Sequence, residues 1–168
     1  MKKTLLCCAL IYASINLYGQ SQLKYTAKVE AGYHFIFARL LKDMPEDAVS
    51  YLRPHGISDG IDLSFVNGIS FRNNLRLGLG IAYLNYKQIN GYTIFGDLEY
   101  VVGKNKVSPV VNLKIGKSYV NNIGDNTFVD FTGGVEHKVG KKLSLQYKTG
   151  LRFVHHSIFL PILIGAKF

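Results

Sequence analysis

The stretch from Ser157 to Phe168, SIFLPILIGAKF, sets the tightest limit on what this chain can fold into. Extended, it places Ile158, Leu160, Ile162, Ile164, Ala166 and Phe168 on one face and Phe159, Pro161, Leu163, Gly165 and Lys167 on the other. The chain therefore ends on an apolar face with a terminal aromatic. A strand beside water would leave that ladder uncovered, whereas a strand whose outer face meets lipid requires it. The stretch predicts the closing strand of a transmembrane β-barrel.

The opposite end reads differently. Met1-Lys2-Lys3 is a short positive start, Leu5 to Leu17 is a mostly apolar run, and Gly19 is a small residue at a cleavage point, which together make a secretory signal peptide over 1–19. The run is shorter than the roughly 20 residues of a helical span, and Asn16 interrupts it. A lipoprotein anchor on Cys7 or Cys8 is disfavoured because the apolar run continues behind both. The mature chain, 20–168, is expected to be one domain. Both cysteines leave with the signal, which excludes disulfides, thiolate metal sites and a thiol nucleophile. Losing Lys2 and Lys3 takes Lys+Arg from 20 to 18 against 11 Asp+Glu, a balance of +7. These cations form no basic helix or single stripe, which argues against nucleic acid. No mature segment resembles an apolar helix, so a membrane crossing requires a closed barrel.

Alternation of period two recurs along the chain and predicts eight strands: 24–37, 60–72, 75–83, 93–102, 107–120, 128–139, 143–154 and 157–168. In the first, Tyr25, Ala27, Val29, Ala31, Tyr33, Phe35 and Phe37 oppose Lys24, Thr26, Lys28, Glu30, Gly32 and His34. In the second only Asn67 breaks the apolar face. The region Ala38 to Ser58, with Asp43, Pro45, Glu46, Asp47, Arg53, Pro54 and Gly56, has no sustained period and reads as a long loop. Lys87 to Tyr92 and Asn121 to Thr127 read as shorter loops, and Asn73, Lys104 and Lys141 mark tight turns of two to four residues. An even strand count returns both ends to one side, with long loops outside and short turns in the periplasm. Aromatic residues such as Tyr25, Phe71, Tyr83, Tyr100, Tyr119, Phe153 and Phe168 fall near strand ends, where interfacial girdles would place them.

The segments Phe65-Val66-Asn67-Gly68, Leu77-Gly78-Leu79-Gly80-Ile81, Val107-Ser108-Pro109-Val110-Val111 and Gly165-Ala166-Lys167-Phe168 carry a resemblance to the small eight-stranded outer-membrane β-barrels of the OmpA and OmpX type. The resemblance implies an all-β, antiparallel up-and-down barrel in the outer membrane of a Gram-negative bacterium, among lipid and lipopolysaccharide. It also implies that Phe168 serves as the tag read by the outer-membrane assembly machinery. Nothing follows the barrel that resembles the peptidoglycan-binding domain of two-domain OmpA proteins.

Eight strands enclose a lumen wide enough only for side chains or one small ligand. The inward set includes Lys28, Glu30, Asp62, Arg76, Asp97, Glu99, Lys114, Glu136, Lys148 and Arg152. In a low-dielectric interior these charges must pair, which predicts a network that plugs the barrel, with inward glycines giving long side chains room. The leading functional reading is a non-enzymatic, monomeric barrel acting structurally or as a surface protein through loop 38–58. A narrow ion or small-solute channel through the same residues is the alternative. A third reading is a lipid A modifying hydrolase, because His155 and Ser157 share a face and resemble the His-x-Ser of the PagL-type deacylases. No acidic residue follows Glu136 to orient that histidine. Neither a cofactor nor a metal site is expected, since His34, His137, His155 and His156 have no ligand spacing.

Overall fold

The computed structural model describes residues 23–36, 59–72, 74–86, 89–103, 105–121, 124–140, 142–154 and 157–168. Within them the alternating segments become eight strands: β1 (Leu23–Ile36), β2 (Gly60–Phe71), β3 (Leu75–Tyr86), β4 (Ile89–Val101), β5 (Val107–Val120), β6 (Gly124–Lys138), β7 (Ser144–Val154) and β8 (Ser157–Lys167). Each pairs antiparallel with its sequence neighbour, and β1 pairs with β8 to close the barrel. The expected leader 1–19 and loop 38–58 lie outside the described residues.

Closure fixes a stagger. The ladder that starts at Thr26 passes through Gly68, Gly78, Asp97, Lys114, Asp130, Arg152 and Phe159 and returns to β1 at Ile36, ten residues further on. Ten residues of stagger over eight strands correspond to a strand tilt of about 40°. Phe168 extends the seam through Phe168 N–H to Ala27 O (2.8 Å) and Ala27 N–H to Phe168 O (3.2 Å). The β7–β8 register holds from Thr149↔Ile162 to Arg152↔Phe159, with no pair between them. Pro161, which has no N–H to donate, sits at that gap.

Four connections differ from expectation. Asn90-Gly91 is strand and not turn, because the two residues pair with Asn85 and Leu84 and the alternation runs on through Tyr92. Gly124-Asp125-Asn126 likewise pairs with Val120, Tyr119 and Ser118. Polar turn-formers are at home there, where strand ends project beyond an apolar belt. The connections 87–88, 121–123 and 155–156 are therefore as short as the turns at the other rim, and only 37–59 is long. Of the opposite turns, 72–74 stays tight but 102–106 and 139–143 exceed the expected length. Arg72 (φ 52°) and Gly103 (φ 86°) supply the left-handed residues, and Asn74 Nδ2–H ties the first turn to Val101 O at 2.7 Å.

The inward glycines divide into two kinds. At Gly32, Gly80 and Gly165 an added Cβ would meet inward side chains, as expected, with Phe95 against Gly80 and Glu30 against Gly165. At Gly68, Gly116, Gly134 and Gly150 it would instead meet the carbonyl of the adjacent strand. Those four permit close backbone approach on the sharply curved wall. Gly134→Val should lower the unfolding free energy by about 1–3 kcal/mol, read as a shift in urea midpoint. Outward Gly96, with nothing nearer than Ile115 O at 3.8 Å, should accept Ala with no loss.

Candidate functional site: the barrel interior

One residue in two on every strand faces a closed space, and the stagger determines which charges meet there. Along the Thr26–Ile36 ladder the neighbours Asp97, Lys114, Asp130 and Arg152 alternate in sign. Three groups of contacts follow. Nearest the turn rim, Arg76 lies between two carboxylates. It contacts Glu99 and holds Glu136 with Nη1 at 2.5 Å and Nη2 at 2.9 Å. The Gln146 amide donates to both acids, at 2.9 and 2.8 Å, and Lys167 reaches Glu136 at 3.3 Å.

In the middle, Lys28 Nζ lies 3.0 Å from Glu99 and 3.1 Å from Asp97. Glu30 receives Lys114 at 2.5 Å and contacts Lys148, which also donates to Asn112 Oδ1 at 3.1 Å. Toward the loop rim, Arg152 bridges Asp62 (2.8 Å) and Asp130 (2.7 Å), and its Nη1 lies 2.8 Å from His34 Nε2. His34 Nε2 is in turn 3.0 Å from Asp62.

All ten sequence-predicted interior residues, Lys28, Glu30, Asp62, Arg76, Asp97, Glu99, Lys114, Glu136, Lys148 and Arg152, point inward and are buried. The structure adds Asp130, His34, Asn112, Gln146 and Lys167 as their partners. Asp130 was readable, since it shares the parity of Thr132, Gly134 and Glu136. Six carboxylates thus face six cations, with Lys167 nearest the open turn rim.

The interior also has an apolar half, which a purely polar expectation missed. Ile36, Leu84, Tyr86, Val120, Phe128, Val154 and Phe159 are inward, buried and contiguous, and all lie at the loop rim. Two rings lie against the charges: Lys114 Nζ sits 5.2 Å from the Phe95 centroid in mid-barrel, and the Arg152 guanidinium 5.0 Å from that of Phe128 in the layer. At the turn rim a small cleft of about 10 Å³, enough for about one water, is lined by Thr26, Lys28, Arg76, Asp97, Glu99 and Lys167 among others.

Ser157 opens β8 opposite Val154, facing inward at 2 % exposure. His155 and His156 lie outside the described residues. Of the other histidines, His34 is fully buried and His137 is half-buried with the outward parity of β6. Phe168 is exposed at the seam.

The outer wall is the reverse of the interior. Leu63, Phe65, Ile69, Leu77, Leu79, Ile81, Ile94, Ile115 and Phe131 are all exposed, with Leu79 at 75 %. Tyr33, Tyr83, Tyr92 and Tyr119 stand toward the loop rim and Tyr25, Phe71, Tyr100 and Phe168 toward the turn rim. Tyr92 and Tyr119 stack at 4.9 Å. From Tyr92 to Tyr100 the wall rises roughly 21 Å along the barrel axis at about 3.4 Å per residue and a tilt of about 40°, close to the roughly 25 Å apolar band of membrane barrels.

No protein-family model matches the sequence, and no curated protein sequence resembles it. Solved structures do. Neisserial surface protein A superposes with a TM-score of 0.61 at 12% identity, over 86% of this chain and 97% of that one. The N-terminal β-barrel domain of Pseudomonas aeruginosa OprF superposes with a TM-score of 0.56 at 14% identity, over 88% of this chain and 100% of that one. The fold is that of the small eight-stranded outer-membrane barrels.

Proposed function

We propose that this protein is an integral outer-membrane barrel of a Gram-negative cell that does not conduct, serving as a structural or surface anchor for its one long connection. The observation that carries this reading is the combination of an apolar outer wall with an interior whose charges are paired and whose loop-rim end is lined by buried apolar side chains. An ion crossing the barrel would have to separate Arg76 from Glu99 and Glu136 and then pass Phe128, Phe159 and Leu84. The leader at 1–19, monomeric state and surface role of 38–58 belong to this proposal.

Single-channel recording of the refolded mature chain in a planar bilayer tests it. A silent bilayer is the expected result. Steady openings that change in Arg76→Gln or Glu99→Gln would establish a pore and overturn the plug. The hydrolase reading fits the geometry less well, because Ser157 faces the packed interior while an acyl ester approaches from the lipid side. Release of fatty acid from lipid A that is lost in Ser157→Ala would reinstate it.

Phe168 is the residue we assign to the assembly machinery. Its deletion should leave refolding into detergent intact, read as a heat-dependent gel shift, while lowering insertion in cells. An equal loss in both settings would make its role structural.

A further inference from the structure

The apolar outer wall has one amide in its middle. Asn67 is outward and exposed on β2, between Phe65 and Ile69 along the strand and between Ala27 and Leu79 across it. It stands four residues from Phe71, which at about 3.4 Å per residue and a tilt of about 40° is roughly 10 Å above the turn-rim aromatics. Those aromatics mark the boundary between acyl chains and headgroups, so the amide lies in hydrocarbon. No hydrogen bond to it is made among the described residues. Its two N–H donors and its carbonyl are costly to leave unpaired there. Thr149 is the other polar outward residue at mid-wall among the described residues. It stands on β7, three strands round the barrel, and carries a single hydroxyl.

The wall is unequal on the two sides of Asn67. β3 presents Leu77, Leu79 and Ile81, all exposed, whereas β1 presents Ala27, Val29 and Ala31. The ten-residue stagger raises each ladder about 3 Å from one strand to the next. Leu77 is therefore level with Ala27, Leu79 with Val29, and Ile81 with Ala31. A ridge of branched side chains runs along one side of the amide and a shallow row along the other.

Insertion in a membrane restricts how a second copy can meet this surface. Two chains inserted the same way are related by a two-fold axis along the bilayer normal, so each residue faces the partner copy at its own depth. An axis passing at Asn67 sets amide against amide, each donating an N–H to the carbonyl of the other. The same rotation exchanges the two sides, so the β3 ridge of each copy faces the β1 row of the other. A lipid tail offers the amide neither a donor nor an acceptor.

We infer that the β1–β2–β3 face is a self-association surface, joining two copies of this chain in the bilayer through paired Asn67 amides and the Leu77, Leu79 and Ile81 ridge. The inference rests on the membrane-barrel reading and goes beyond it. Each barrel stays closed and complete, and the monomeric state proposed above is confined to chain dispersed in detergent.

The test uses the full mature chain carrying Lys106→Cys, at an exposed turn-rim site, labelled with donor or acceptor dye and mixed in phosphatidylcholine vesicles. Energy transfer above chance proximity, falling as lipid is added, is the expected result. Asn67→Leu should weaken association roughly eightfold, the average worth of two hydrogen bonds between membrane segments. Asn67→Gln, which keeps an amide, should retain it. Ala27→Phe fills the row while leaving the amide and should abolish it, and Thr149→Leu should change nothing. Transfer at the chance level for the unmodified chain would overturn the inference, as would association unchanged in either Asn67→Leu or Ala27→Phe, or lost equally in Thr149→Leu. Each variant must first show the heat-dependent gel shift of a folded barrel. Absence of that shift in the unmodified chain would instead remove the barrel reading on which the inference rests.

Discussion

Leu79→Arg should destabilise the protein in a bilayer by about 2–4 kcal/mol, the cost of a cation at the midplane of a barrel wall. Leu79 is the most exposed large apolar residue of the wall and lies on β3 midway between Leu75 and Tyr83. Val102→Arg, at the turn rim, should cost about 0–1 kcal/mol, because there the charge reaches headgroups and water. Reversible urea unfolding in vesicles measures both. A water-exposed barrel would show no such difference, since Arg at a 75 % exposed site is harmless in water. Equal small effects at both positions would remove the membrane from the account. The depth dependence carries the test, because a general intolerance of Arg would affect the two sites alike.

The second large effect lies inside. Arg152→Ala should cost about 3–5 kcal/mol, because it leaves Asp62 and Asp130 buried without their shared cation. Replacing the group together should not: Arg152→Met with Asp62→Asn and Asp130→Asn removes the charges as well as the pairing, and buried ion groups replaced whole are often neutral or gain stability. Recovery of most of the lost midpoint in the triple variant is the expected outcome. If the triple variant is as unstable as Arg152→Ala, the guanidinium acts chiefly through packing under Phe128, and the ion group contributes little.

Most of the fold was legible because one local property, period-two alternation, fixes both strand identity and facing. Glu30, Arg76 and Lys148 could be assigned inward from their neighbours alone. Their partners could not. Which cation meets Glu30 depends on the ten-residue stagger, a property of the closed ring that no segment of sequence carries. Hence Lys148, far away in sequence, is in contact with it. Height along the axis was lost for the same reason: Phe128, Leu84 and Phe159 stand far apart in sequence, and the stagger brings them to one level as a layer. Asn90-Gly91 and Gly124-Asp125 were misread because turn chemistry and a polar strand end use the same residues.

The closing seam bears on how the molecule forms. Glu30 lies on β1, and its cations Lys114 and Lys148 come from β5 and β7. In an open sheet, before β1 meets β8, Glu30 stands apart from both cations and stays hydrated, so a partial structure lacks the pairs that cross the lumen. Pairing, dehydration and ring closure therefore coincide. The protein should come apart in one step, with tyrosine fluorescence and strand content reporting the same midpoint. A half-zippered sheet would hold its charges against the lipid's interest, and neither end of the chain could leave without undoing the whole.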